Sequence, residues 1–153
     1  MIYSLQYKPH EYVVALENIN QPVNAEQRKN RIEEIKDMDY FTLRISAQNF
    51  SQELLRYKLT DANEYYKRLE YFMSGMQRDI YIKCGQDSLS CTLYHFERTF
   101  GIAPYVSVSL GFERTDSEAN RVFVFLDKVF GGGKVQIGLN GKIFKKYPEL
   151  KTE

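Results

Sequence analysis

Asp79-Ile-Tyr-Ile-Lys-Cys84, Leu89-Ser-Cys-Thr-Leu-Tyr-His-Phe-Glu97 and Tyr105-Val-Ser-Val-Ser-Leu-Gly-Phe112 follow one another across the middle of the chain. The third segment alternates: Val106, Val108, Leu110 and Phe112 fall on one face, Tyr105, Ser107, Ser109 and Gly111 on the other. Period-two alternation marks a half-buried antiparallel strand. With a turn after Cys84 and a bend at Gly101 and Pro104, the stretch reads as three strands in succession.

Outward from this centre, the signals continue in both directions. Tyr3, Leu5 and Tyr7 alternate with Ser4 and Gln6, a first strand ending at Pro9. Glu11 to Glu17 is β-branched in its middle and predicts a second strand; a short helix starting at Pro9 is the alternative. Asn18 to Asn24 is a loop, and Asn24 caps a polar helix from Ala25 to Met38 with one narrow stripe, Ile32, Ile35 and Met38. Its mixed charges make a solvated face. Tyr40 to Ile45 alternates again, and Ser51 is placed to cap a short turn through Leu54 and Leu55. Asp61 and Glu64 have capping-box spacing before a helix whose stripe is Tyr65, Leu69, Phe72 and Met76; Gly75 weakens its last turn. Past the centre, Glu113 to Asn120 is a charged turn, and Arg121 to Leu126 is apolar on both faces, as in a strand covered on both sides. A glycine-ended loop, a strand from Lys134 to Leu139, a turn at Asn140-Gly141 and a segment from Ile143 to Leu150 stopped by Pro148 complete the chain. The expectation is one α+β domain over residues 1–153, a mostly antiparallel sheet of about eight strands with two helices packed on it.

Composition narrows the functional classes. Net charge is +1, so no global field draws the chain to nucleic acid or to an anionic membrane. The 12 Tyr and 10 Phe with no Trp suit a β-rich core, and also an aromatic contact surface. Met1 to His10 has no apolar run of secretory type, and no stretch approaches the roughly 20 apolar residues of a membrane span. The chain as written reads as soluble, either cytoplasmic or trimmed of a targeting segment.

The two cysteines, Cys84 and Cys91, leave two registers open. A turn over Gln86 to Leu89 sets them opposite each other, where a disulfide would contribute roughly 2–3 kcal/mol, and sets His95 against Ile80. A tighter turn at Gln86-Asp87 sets Cys84 against Leu89, and both remain free thiols packing as small hydrophobes. There is no Cys-x-x-Cys pair for zinc.

Catalytic motifs are absent. The histidines are His10 and His95 alone, and no zinc-protease helix, nucleophile elbow or serine–lysine pair accompanies them. Gly131-Gly132-Gly133-Lys134 lacks the spacing and the hydroxyl of a phosphate loop, and reads as a tight turn with positive φ. Glu33 and Glu34 are helix neighbours that point apart. No cofactor or metal is called for. Asn49-Phe50-Ser51 fits a glycan-acceptor pattern too short to carry weight.

The densest candidate site is Tyr94-His95-Phe96-Glu97-Arg98, before Phe100-Gly101. Tyr94 and Phe96 leave the face that carries the cysteines, while Glu97 is within reach of Arg98 or Arg114 as a brace for the bend. The same residues would give a partner surface an aromatic centre and an Arg anchor.

Leu5-Gln6-Tyr7-Lys8-Pro9 with Glu11-Tyr12, then Tyr94-His95-Phe96-Glu97-Arg98, Ala103-Pro104-Tyr105 and Val129-Phe130-Gly131-Gly132-Gly133 resemble, in that order, a group of uncharacterised envelope lipoproteins of Bacteroidota-type bacteria. The resemblance implies a signal peptide and a lipid-bearing cysteine upstream of Met1, a location in the periplasm or at the outer membrane, and membrane contact only through that anchor. An oxidising compartment would favour the Cys84–Cys91 bond. The expected function is non-enzymatic: binding another envelope protein as a subunit or accessory of a surface assembly. The alternatives are a small-molecule or glycan binder using exposed tyrosines, and a hydrolase around His95.

Overall fold

A computed structural model describes residues 1–115 and 119–144. In chain order these form β1 (Ile2–Lys8), α1 (His10–Glu17), α2 (Ala25–Ile35), β2 (Met38–Ser46), α3 (Ala62–Met73), β3 (Ile80–Cys84), β4 (Asp87–Ser90), β5 (Leu93–Glu97), β6 (Tyr105–Glu113), β7 (Arg121–Asp127) and β8 (Gly133–Leu139). Short 3-10 turns cover Leu54–Arg56, Gly75–Asp79 and Gly141–Phe144. The domain is α+β and every ladder is antiparallel, but the strands divide into two four-stranded sheets, ordered β1-β2-β6-β5 and β4-β3-β7-β8.

The alternating segments place the core. Phe41 pairs with Leu110, Leu43 with Val108 and Ile45 with Val106, so β2 and β6 bury one continuous face. The second sheet answers with Ile80, Ile82, Phe123 and Phe125. Phe112 meets Phe123 edge-on at 6.4 Å and Tyr3 meets Phe125 at 6.3 Å, which fixes the sheets face to face. Each buried Phe is worth roughly 2–3 kcal/mol in removed apolar surface. In β7 the double-sided burial holds at the centre: Phe123, Val124 and Phe125 are enclosed, while Val122 and Leu126 are half-buried.

α3 buries Phe72, which lies 5.8 Å from both Phe96 and Phe130, and Met76 follows it into the core. Asp61 caps the backbone N–H of Glu64, but the reciprocal half of the box goes elsewhere: the Glu64 carboxylate accepts from the Thr60 N–H and hydroxyl. Asn24 and Gln27 form a complete capping box on α2.

Several expectations are corrected. Glu11 to Glu17 is helical, not a strand. Pro9, with φ −55°, sets the entry, and His10 and Val14, one turn apart, are the buried residues of α1. The second helix stops at Ile35, and Met38 opens β2. Ser51 caps nothing; the turn opens at Glu53 without a side-chain cap.

The largest correction concerns the central stretch. Its middle segment is two strands, broken at Cys91-Thr92: β4 pairs with β3 and β5 with β6, in different sheets. Thr92 crosses over by donating its N–H to the Gly111 carbonyl at 2.9 Å. A Cβ on Gly111 would stand 2.9 Å from the Leu93 Cβ, so glycine is what lets β5 begin against β6. The hairpin turn is Gly85-Gln86, with Gly85 at φ +62°, which pairs Cys84 with Asp87 rather than with Cys91 or Leu89. Both thiols are free, and His95 faces Ser109, not Ile80. Lys145 to Leu150, including the stop expected at Pro148, lie outside the described residues, as do residues 116–118 of the charged turn.

Candidate functional site

Tyr94 to Glu97 of the cluster sit on β5, an edge of the first sheet, with Arg98 just past its end, and alternation splits them. Tyr94 and Phe96 point inward. The Tyr94 hydroxyl donates to the Phe72 carbonyl at 2.5 Å, and the Phe96 ring packs on Phe72. Burial pushes the Tyr94 pKa up. These two residues dock α3 and are part of the fold. His95 and Glu97 point outward and are exposed. Glu97 braces neither arginine: it accepts from the Ser109 hydroxyl at 2.8 Å. Arg114 lies at the opposite end of the molecule, 3.9 Å from Asp39.

His95, Ser109 and Glu97 therefore share one face of the sheet, which invites comparison with a nucleophile–base–acid relay. The order is wrong for one. Ser109 donates to the carboxylate and not to the imidazole, and no described hydrogen bond joins His95 to either residue. His10, the first residue of α1, is buried. Its Nε2 donates to the Met38 carbonyl at 2.6 Å, leaving Nδ1 as the acceptor 3.5 Å from Arg114. Beside it, buried Asp39 lies 3.3 Å from the Arg121 guanidinium. Burial raises the Asp39 pKa, while Arg114 and Arg121 pull it down.

The glycine loop is equally accounted for. Gly131 and Gly133 have φ +80° and +63°, as a tight turn requires. The amides of Val129, Phe130 and Gly132 all point at the buried Asp127 carboxylate, at 2.9, 2.9 and 3.0 Å. An acid already occupies that nest, so the loop is no phosphate cradle. Cys91 is also spoken for: its thiol donates to the Leu93 carbonyl, and burial pushes its pKa up to about 11. Cys84 is half-buried at the hairpin end.

Arg98 leads away from these structural roles. Past β5 the chain makes a turn closed by Ile102 N–H to Thr99 O at 3.0 Å. Arg98 stacks its guanidinium on Phe100, 4.7 Å from the ring centre. Phe100 has φ +48° and is 75% exposed, and Ile102 is 88% exposed. Beneath this tip runs an open groove lined by Ser51, Gln52, Glu53, Arg56, Tyr65, Arg98, Phe100 and Gly101. Glu53 organises its floor, accepting from the Tyr65 hydroxyl at 2.9 Å and from Arg56 Nε at 3.3 Å. The Arg56 guanidinium lies 5.0 Å over the Tyr65 ring. Burial and Glu53 raise the Tyr65 pKa.

Of the sequence candidates, then, only Arg98 lines this groove. Glu53, Arg56 and Tyr65 were missed. Tyr65 was visible only as one member of the α3 stripe, and nothing local to Glu53 or Arg56 signals a site. Each of the four described grooves holds a single, half-buried tyrosine (Tyr105, Tyr81, Tyr65 or Tyr71), and the exposed Tyr12 and Tyr66 line none of them. Among the described residues no group of His, Cys, Asp and Glu could hold a metal ion, and no helix is long and apolar enough to cross a membrane. Comparisons with family models, with curated proteins and with solved structures find no match.

Proposed function

We propose that this domain is a non-catalytic binding module of the bacterial envelope that docks another envelope protein through the tip between β5 and β6. The observation that carries the docking is Phe100. A bulky residue in the left-handed region costs of order 1 kcal/mol, and burial normally compensates for such strain. Phe100 is instead 75% exposed, beside Ile102 at 88% and an Arg stacked on its face. Aromatic, aliphatic and Arg side chains gathered on a protruding turn have the composition of interface anchors. The envelope location and the role as accessory subunit are supported by the sequence resemblance, which also implies a lipid anchor upstream of Met1.

A photo-crosslinking amino acid at Thr99, with Gln136 on β8 as control position, tests the docking in the native cells. A discrete protein adduct from Thr99 alone is expected, and F100S/I102S abolishes it without lowering the unfolding midpoint. Adducts of equal yield at both positions, or an adduct that survives F100S/I102S, would overturn the assignment. F100G sharpens the point. Glycine relieves the positive φ, so the variant is expected to be as stable as the native chain or more so, by up to about 1 kcal/mol, while losing the adduct.

A further inference from the structure

We infer that the groove beneath this tip selects an acidic segment of the partner, one carboxylate engaging Arg98 and Arg56 while a neighbouring apolar side chain packs on Phe100 and Ile102. The inference rests on the reading of the tip as a docking surface and adds the chemistry of what docks there.

The charges in the groove do not balance. Its lining holds two guanidiniums, Arg56 and Arg98, against one carboxylate, Glu53. Glu53 is committed: its side chain is 13% exposed, one oxygen accepts from Tyr65, the other from Arg56. Arg98 makes no ion pair among the described residues. Arg56 spends one N–H on Glu53, and its side chain remains 58% exposed.

Both guanidiniums also rest against aromatic rings, Arg56 over Tyr65 and Arg98 over Phe100, contacts that a planar cation makes while its remaining N–H groups stay available to donate. A carboxylate is the group whose two oxygens match that fork. Ser51 and Gln52 on the groove wall supply further donors. A cationic partner would meet two like charges and no uncommitted acid. An uncharged one would offer neutral acceptors only, which bind a guanidinium about half as strongly as a carboxylate does and without its two-oxygen match. The apolar half of the recognition comes from the same turn, because Phe100 lines the groove with one face while remaining largely exposed.

The test uses the isotope-labelled full chain and three capped tripeptides: Glu-Leu-Glu, Gln-Leu-Gln and Lys-Leu-Lys. Amide shifts that saturate at Gln52 and at Arg98 to Gly101 are expected with the acidic peptide alone. R98Q should weaken that binding about tenfold, as should R56Q, and R98K should give an intermediate loss because it keeps the charge without the fork. Each variant must keep the dispersed native spectrum, which exposed positions allow. Equal shifts from the glutamine peptide, or acidic-peptide shifts that never saturate or that spread over lysines elsewhere, would overturn the inference. These outcomes separate from failure of the docking site itself. A Thr99 adduct lost in F100S/I102S but indifferent to R98Q removes the acidic selectivity and keeps the docking. Absence of any Thr99 adduct removes both.

Discussion

Gly132 shows how much one residue can owe to a distant part of the chain. A Cβ there would stand 2.0 Å from the Tyr3 hydroxyl oxygen and 2.8 Å from Asp127 Oδ2, which are themselves hydrogen-bonded at 2.5 Å. The positive φ values of Gly131 and Gly133 follow from the turn, and three glycines in a row announce it. Gly132 is needed for room, and its neighbour Tyr3 is 124 positions from Asp127, which no local reading can supply. G132A is therefore expected to cost about 2–3 kcal/mol in urea unfolding, by driving Tyr3 off Asp127 and leaving a buried carboxylate short of a donor. G131A, which meets open space and pays only for φ, should cost about 1 kcal/mol. Y3F combined with G132A should lose less than the sum of the two, since both break one contact. Equal losses for G131A and G132A would show that conformational freedom, not space, is what position 132 requires. The other buried charges escaped the sequence for the same reason. Asp39, Arg68, Asp79, Arg121 and Asp127 all sit at 7% exposure or less, each hydrogen-bonded to groups brought from other elements or loops. Pattern rules place such residues in water because they cannot see those partners.

Elements were legible where periodicity acts alone. β2 and β6 lie where alternation puts them, and Tyr65, Leu69 and Phe72 lie on α3 at their three-to-four spacing, while Met76, the last of that stripe, falls past the helix end in the 3-10 turn Gly75–Asp79. α1 did not, because Val13 and Val14 favour a strand; Pro9 offers a helix start as the alternative, and packing decides for it, with Val14 fully buried one turn after His10. The change of sheet between β4 and β5 had no local signal either, since alternation runs through Cys91 and Thr92 without a break; the cause lies on Gly111, in another strand. α3 carries a pH dependence that its capping predicts. Bonds from the Thr60 N–H and hydroxyl, with help from Arg68, lower the Glu64 pKa from 4.5 to about 2. The folded state thus holds this proton less tightly than the unfolded chain. The stabilisation is complete above pH 4.5 and is lost as pH falls through about 2. E64Q should be less stable than the native chain at neutral pH, and the gap should close across that window, read by urea unfolding at stepped pH. A gap that stays constant would mean that the Thr60 and Arg68 contacts act without the charge.

At the scale of the whole molecule, the sandwich is clasped at both ends by the same strand. The inward face of β7 reads Arg121, Phe123, Phe125, Asp127: apolar in the middle, charged at each rim, buried throughout. Arg121 reaches across to Asp39 on β2, and Asp127 reaches across to Tyr3 on β1. Each clasp joins one sheet to the other, and about 20 Å of strand separates them. A single sheet of eight strands would have no use for such bridges, and the sequence reads Arg121 to Leu126 only as apolar on both faces, with Asp127 in the loop that follows. Removing one partner of a buried pair is costly, so D39N should lose about 3 kcal/mol and Y3F about 1–2 kcal/mol. If the rims act independently through a rigid core, the double variant D39N/Y3F should lose the sum within about 0.5 kcal/mol, in one cooperative transition. A loss well below the sum would mean that opening one end already loosens the other. The sheets would then separate as a hinge, and the two clasps would be one device rather than two.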